Sequence, residues 1–404
     1  MYSRVIWTQP PSNTGSTTIP SSAVLGLFLL SLLMLALTAP ALASTESVLY
    51  SFANPPDAYS PRCNLILDPS GNMYGTTFSG GANNLGSVFV LSPNGTESVI
   101  YSFAGGADGS HPIGGLFRDP KTGNLYGTTV YGGSANNGTV FMVNISTHAD
   151  SVLYSFKGGL DGANPYSSVV RAGTTIFGIT TNGGANGYGT VFKLTSNGQE
   201  TILHNFNSAF PVLDGAYPYG GLVLYKGLLY GTTTMGGDSN LGTVFSISKT
   251  GAYALLYSFK GGSNDGQNPY AGVAFDASGN IFGTTYGGGL DNAGVVFKLA
   301  GGGAETVIHS FARNSADGIN PYASLVLYKK NFYGTTLQGG GSANGGTAFM
   351  ITPTGVETVL HSFTGGADGF NPYGALVRDS HNTFYSTTLV GGTANLGIVF
   401  HVTP

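Results

Sequence analysis

The chain has 404 residues, of which 65 are Gly and 19 Pro, while only 8% are charged. So much Gly excludes a long helical protein, and 41% apolar with 12% aromatic content excludes a disordered polar tail, leaving an all-β chain with many turns. A net charge of -4, with Lys329-Lys330 as the one adjacent basic pair, gives no footprint for nucleic acid. Lone Cys63 excludes an intramolecular disulfide and a thiolate metal cluster. At the N-terminus, Arg4 precedes an apolar run over residues 23–37, broken by Ser31 and followed by Thr38-Ala39-Pro40-Ala41-Leu42-Ala43. Residues 1–43 read as a secretory signal peptide cut after Ala43, since the run of about 15 residues is short of the roughly 20 that span a bilayer. The remaining chain, 44–404, is expected to be exported as a secreted, periplasmic or cell-surface protein without a membrane span, and a monomer.

From residue 46 onward the sequence repeats with a period of about 52 residues. An aromatic-Gly-x-Thr segment starts at Tyr74, Tyr126, Phe177, Tyr230, Phe282 and Tyr333, and Tyr385-Ser386-Thr387-Thr388 is its seventh copy. A Gly-x-x-Phe segment starts at Gly86, Gly138, Gly189, Gly242, Gly294, Gly346 and Gly397. A third landmark ends each unit, at Phe52, Phe103, Phe156, Phe206, Phe259, Phe311 and Phe363. Within a unit four runs rich in β-branched and aromatic residues follow one another, for example 270–275, 280–285, 294–299 and 305–311. Turn residues such as Asp276-Ala277-Ser278-Gly279 separate them. Four antiparallel strands at this pitch predict a seven-bladed β-propeller rather than a solenoid, which needs atypical capping repeats at its ends. The phase of the ends goes further. The chain begins with an outer strand, 46–52, and ends on a third strand, 397–402, so the N-terminal strand is expected to complete the last blade and close the ring.

Connectivity places two sets of loops on one face. The outer-to-inner loops repeat Asp-Gly-x-x-Pro at Asp108, Asp161, Asp214, Asp265, Asp317 and Asp368, with Asp57-Ala58 in the first copy. A ring of carboxylates points to a cation such as calcium or a basic partner, but Asp before Gly is also an ordinary turn residue that bonds its own backbone, and this local reading is preferred. The second-to-third loops, for example 80–84 and 236–240, combine Gly-Gly with Asn. No helix or Lys follows them, which argues against a phosphate cradle and leaves a flexible polar rim.

The position after the inner-strand Pro is Arg62, Ile113, Tyr166, Tyr219, Tyr270, Tyr322 and Tyr373. Five tyrosines near one mouth suit a stacking platform for a sugar. They equally suit blade-to-blade packing, the preferred reading, because a small residue follows each of them and needs a large neighbour. His204, His309 and His361 share a column with Tyr50, Tyr101, Tyr154 and Tyr257, so they interchange with aromatics instead of forming a site. No hydrolase or zinc motif occurs, and no cofactor is indicated.

The unit Leu-Tyr-Gly-Thr-Thr, Gly-Gly and Gly-Thr-Val-Phe, as at residues 125–141 and 229–245, resembles the GloVer tandem repeat of exported bacterial proteins. The resemblance covers roughly residues 46–404. It implies export and a surface or secreted role, with no catalytic residues to transfer. Members often end in a sorting anchor, and the chain ending at Pro404 favours a free form over an anchored one. The expected function is a noncatalytic binding module holding a glycan or protein on the Gly/Asn/Asp-rich face, with Tyr166, Tyr219, Tyr270, Tyr322 and Tyr373 and the loop Asp residues as candidate contacts. The alternative is a polysaccharide lyase or glycosidase using two acids among Asp161, Asp214, Asp265, Asp317 and Asp368.

Overall fold

In the first repeat, Ala58–Pro61 and Ile66–Leu67 pair with Met73–Gly80, which pairs with Ser87–Leu91, which pairs with Glu97–Ser102. The other repeats follow the same inner, second, third, outer order, giving seven antiparallel blades in the computed structural model. It describes residues 44–404 apart from 210–212, 302 and 314–315, so the expected signal peptide lies outside the described residues. No helix among the described residues is long and apolar enough to cross a membrane. The seventh blade is built from both ends: Phe384–Val390 and Ile398–Thr403 come from the C-terminus, and Thr45–Ser51 is the outer strand, with Thr45 opposite Thr403 and Ser51 opposite Ile398. The expected closure is what the chain forms.

The three periodic landmarks are three packing devices. Each repeat-ending Phe is completely buried and meets, edge to face, the third-strand Phe of the next blade: Phe52 on Phe89 at 5.2 Å, Phe259 on Phe297 at 5.1 Å and Phe363 on Phe400 at 4.8 Å. The Gly of aromatic-Gly-x-Thr makes room for that third-strand ring, since a Cβ on Gly283 would lie 2.6 Å from Phe297. The Gly of Gly-x-x-Phe takes the proline of the next blade. At Gly242 a Cβ would fall 2.6 Å from Pro269 Cδ, and its φ of 101° is one that L side chains rarely adopt.

Hydrogen bonds stitch the same seams. Thr76, Thr128, Thr232, Thr284 and Thr335 each donate a side-chain hydroxyl to the carbonyl of Gly114, Ser167, Ala271, Ala323 and Gly374 in the neighbouring inner strand. Thr387 does so to Cys63, across the closing seam. Where the third repeat has Ile179 instead, Thr181 donates to Pro218. The amide of Ser60 bonds the Leu396 carbonyl at 3.0 Å, just as Asn268 bonds Leu241 at 2.7 Å elsewhere, so the junction between the chain ends matches the others.

Inner strands are shorter than the six residues expected: only Ala274–Phe275 of the 270–275 run pairs in a ladder with the second strand. Within this run the Ala271 carbonyl instead accepts from Thr232 of the neighbouring blade. Cys63 is buried in this small-residue column, as expected, and its sulfur receives the Thr76 amide at 3.1 Å.

Candidate functional site: an aromatic collar in the central channel

The inner strands present alternate side chains to a central cavity of about 330 Å³. It is lined by Arg62, Ile113, Tyr166, Tyr219, Tyr270, Tyr322 and Tyr373, and by the small residues that lie two positions further on, among them Gly115, Ser168, Gly221, Gly272 and Ser324. The five tyrosines touch in sequence around the wall: Tyr166 and Tyr219 at 4.8 Å, Tyr219 and Tyr270 at 5.3 Å, Tyr270 and Tyr322 stacked at 4.7 Å, Tyr322 and Tyr373 at 4.5 Å. They are partly exposed, whereas the small residues after them are buried in the seams. Each tyrosine comes from a different blade, so these contacts are packing between blades, as expected, alongside the Phe and Thr devices, and the same rings face the cavity as a collar. Burial pushes all five phenols above their usual range, so at neutral pH the collar offers uncharged hydroxyls.

The loop carboxylates are elsewhere. Asp108 accepts the Ala104 amide at 2.6 Å and the Tyr101 hydroxyl at 2.8 Å; Asp161 accepts the Lys157 amide and the Tyr154 hydroxyl; Asp265 accepts the Lys260 amide at 2.7 Å and the Tyr257 hydroxyl at 2.9 Å. Asp57 does the same with Ala53 and Tyr50. Where histidine replaces tyrosine, His204 Nε2 lies 2.7 Å from Asp214, His361 Nε2 3.3 Å from Asp368 and His309 Nε2 3.6 Å from Asp317. Asn207, Ala312 and Thr364 supply the amides to these three. His361 can donate to its carboxylate as a tyrosine does, while His204 and His309 stand close beside theirs. None of the seven Asp residues lines the cavity.

The Gly-Asn loops share this face, as Ala58 pairing with Gly80 requires. They are tied rather than loose: Asn136, Asn240 and Asn395, each at positive φ, accept the amides of Gly132, Gly236 and Gly391.

Two sets of residues carried no functional expectation from the sequence. Arg62 stands in the tyrosine column as the one charged residue of the cavity lining, and the break in that column was its signal. The second set is the acid that opens most outer strands, also visible as a period. Glu46, Glu97, Asp150, Glu200, Glu305 and Glu357 sit in the seams facing Asp368, Asp57, Asp108, Asp161, Asp265 and Asp317. Burial first, and the facing carboxylate second, push Glu46, Asp150, Glu200 and Glu305 up to about 7, and Glu97 and Glu357 to about 8. At one of these seams the ligand atoms of His309, Asp317 and Glu357 lie within 4.8 Å of one another. This is the repeated seam pair with a histidine in the tyrosine column.

Fold and cavity together define a seven-bladed β-propeller with an aromatic collar in its channel. The chain belongs to the Gloeobacter/Verrucomicrobia repeat family, whose pattern matches residues 61–264 and 248–404. No curated protein matches it by sequence. Among solved structures it is similar to an oligogalacturonate lyase in complex with manganese (11% identity, 89% of this chain and 92% of that chain, TM-score 0.55). Another similar structure is an oligogalacturonate lyase from Vibrio parahaemolyticus (10%, 89% and 93%, TM-score 0.55). A third is a putative 6-phosphogluconolactonase from Bacteroides uniformis (14%, 78% and 88%, TM-score 0.51). At these identities the likeness concerns the fold alone.

Proposed function

We propose that the protein is an exported, noncatalytic binding module that holds a glycan in its central channel, on the face bearing the Asp-Gly and Gly-Asn loops. The collar of five tyrosines carries this reading: partly exposed aromatic faces and neutral hydroxyls around a cavity are the chemistry that stacks on a sugar ring and hydrogen-bonds its edge. A volume of about 330 Å³ is at the small end of the ~300–1,000 Å³ typical of small-molecule pockets, which suits one sugar unit better than a protein epitope. The loop acids support the noncatalytic side, since each is engaged by a local amide. The test is a glycan array with residues 44–404, repeated with chelator, beside a Tyr270→Ala variant. Retention of a glycan class that is lost in the variant, with the fold intact, supports the reading. Binding undiminished in Tyr270→Ala overturns it, and chelator-sensitive binding would move the site to the rim acids.

A further inference from the structure

Arg62 occupies the position where five other blades place tyrosine, in a cavity lining that contains no carboxylate. Its guanidinium carbon lies 4.3 Å from the centroid of Phe78, its Nε is buried with no hydrogen-bond partner, and no ion pair forms to it among the described residues. A partly buried Arg without a counter-charge bears a desolvation cost that a ligand anion would relieve. The neighbouring titratable groups do not supply the charge. His111, on one side, is depressed by burial and by Arg62 itself and is neutral at pH 7, and Tyr373, on the other, is held in its phenol form by burial. The Asp-Gly loop acids and the seam acids are engaged in the loops and seams and no acid lines the cavity, so Arg62 leaves the channel cationic in a chain of net charge -4.

Resting on the glycan reading above, we propose that the ligand is acidic: a sugar unit whose carboxylate, as in a hexuronic acid, is received by Arg62 while its ring face lies against the tyrosine collar. A carboxylate matches the planar donor fork of Arg in a way a neutral hydroxymethyl group does not. The small cavity admits one such unit, either free or as the end of a chain.

The experiment is calorimetric titration of residues 44–404 with a glucuronic acid-terminated oligosaccharide, its methyl ester as the neutral counterpart, and free glucuronic acid, repeated with galacturonic acid. The acidic oligosaccharide is expected to bind roughly 10- to 100-fold tighter than its ester, the range that one charge-assisted hydrogen-bond pair confers, and Arg62→Met should erase that preference. Free uronate binding as tightly as the oligosaccharide assigns the site to the monomer, and a large advantage for the oligosaccharide assigns it to a chain end. Equal binding of acid and ester, both lost in Tyr270→Ala, overturns the acidic ligand and leaves the glycan reading standing. No binding of any sugar overturns both. Should Arg62→Met fail to fold, the comparison of acid with ester on the parent protein decides the matter alone.

Discussion

Single positions divide into those that hold the blades together and those that face the cavity, and truncation should tell them apart. Phe259 is completely buried between blades, so Phe259→Ala should cost about 3–5 kcal/mol in denaturant melts. Tyr270 touches its neighbours but keeps part of its face exposed, and Tyr270→Ala should cost clearly less than Phe259→Ala while abolishing glycan retention. Thr232→Val keeps the shape but removes the 2.7 Å bond to the Ala271 carbonyl, leaving a buried acceptor unmet; a loss of about 1–3 kcal/mol is expected. A Thr232→Val protein as stable as the parent would show that the hydroxyl latch contributes nothing. The columns of Phe, Gly and Thr were legible as columns because packing repeats with the fold. What they did was less legible: a spacing of about 39 residues from Thr232 to Ala271 reveals itself as a contact only once the blades are laid side by side.

At the level of strands and their junctions, the seam acids make stability depend on pH. Glu46, Asp150, Glu200 and Glu305 titrate near 7 and Glu97 and Glu357 near 8 in the folded ring, above their ordinary values. The folded state therefore holds more protons than the unfolded chain between roughly pH 4.5 and 8, and stability falls as pH rises through that window. Asp317 and Asp368 are shifted the opposite way, and their contribution is lost only as pH falls below their ordinary value through the lowered one. Melting temperature should thus be highest near about pH 4–5, decline as pH rises to about 8, and level off above it. Replacing Glu97 and Glu305 by Gln should flatten that decline; a flat profile in the parent would refute the seam account. The one seam without such an acid has Tyr253 there, stacked on His204 at 4.0 Å and bonded to the Asp214 carbonyl. Strand type and order were plain from alternation and turn residues. The acid pairs were not, because a Glu at the head of a strand looks solvated until a second chain segment covers it.

For the ring as a whole, closure rests on the outer strand of the seventh blade. Deleting residues 44–52 removes the partner of Ile398–Thr403 and takes Phe52 off Phe89, so the melting temperature should drop by more than in Phe52→Ala alone. A deletion variant that melts together with Phe52→Ala would mean that the Ser60 to Leu396 and Cys63 to Thr387 bonds suffice to close the ring. This architecture could be read in advance because the phase of seven repeats fixes where a strand is missing. The collar's orientation could not, since a column of tyrosines is compatible with either side of an inner strand.

The pairing of Thr45 with Thr403 sets both ends of the propeller beside each other, at the edge of the disc away from the Asp-Gly and Gly-Asn loops. A fusion partner, tag or surface linkage joined at either end would leave from the same spot, with the channel face turned outward and unobstructed. Load applied to both ends at once would open the Thr45–Ser51 ladder one pair at a time, like a zip, before it reached any other blade. Attachment through one end alone would leave that ladder unloaded, so the site for immobilising the protein is also a choice of how much pull it can bear.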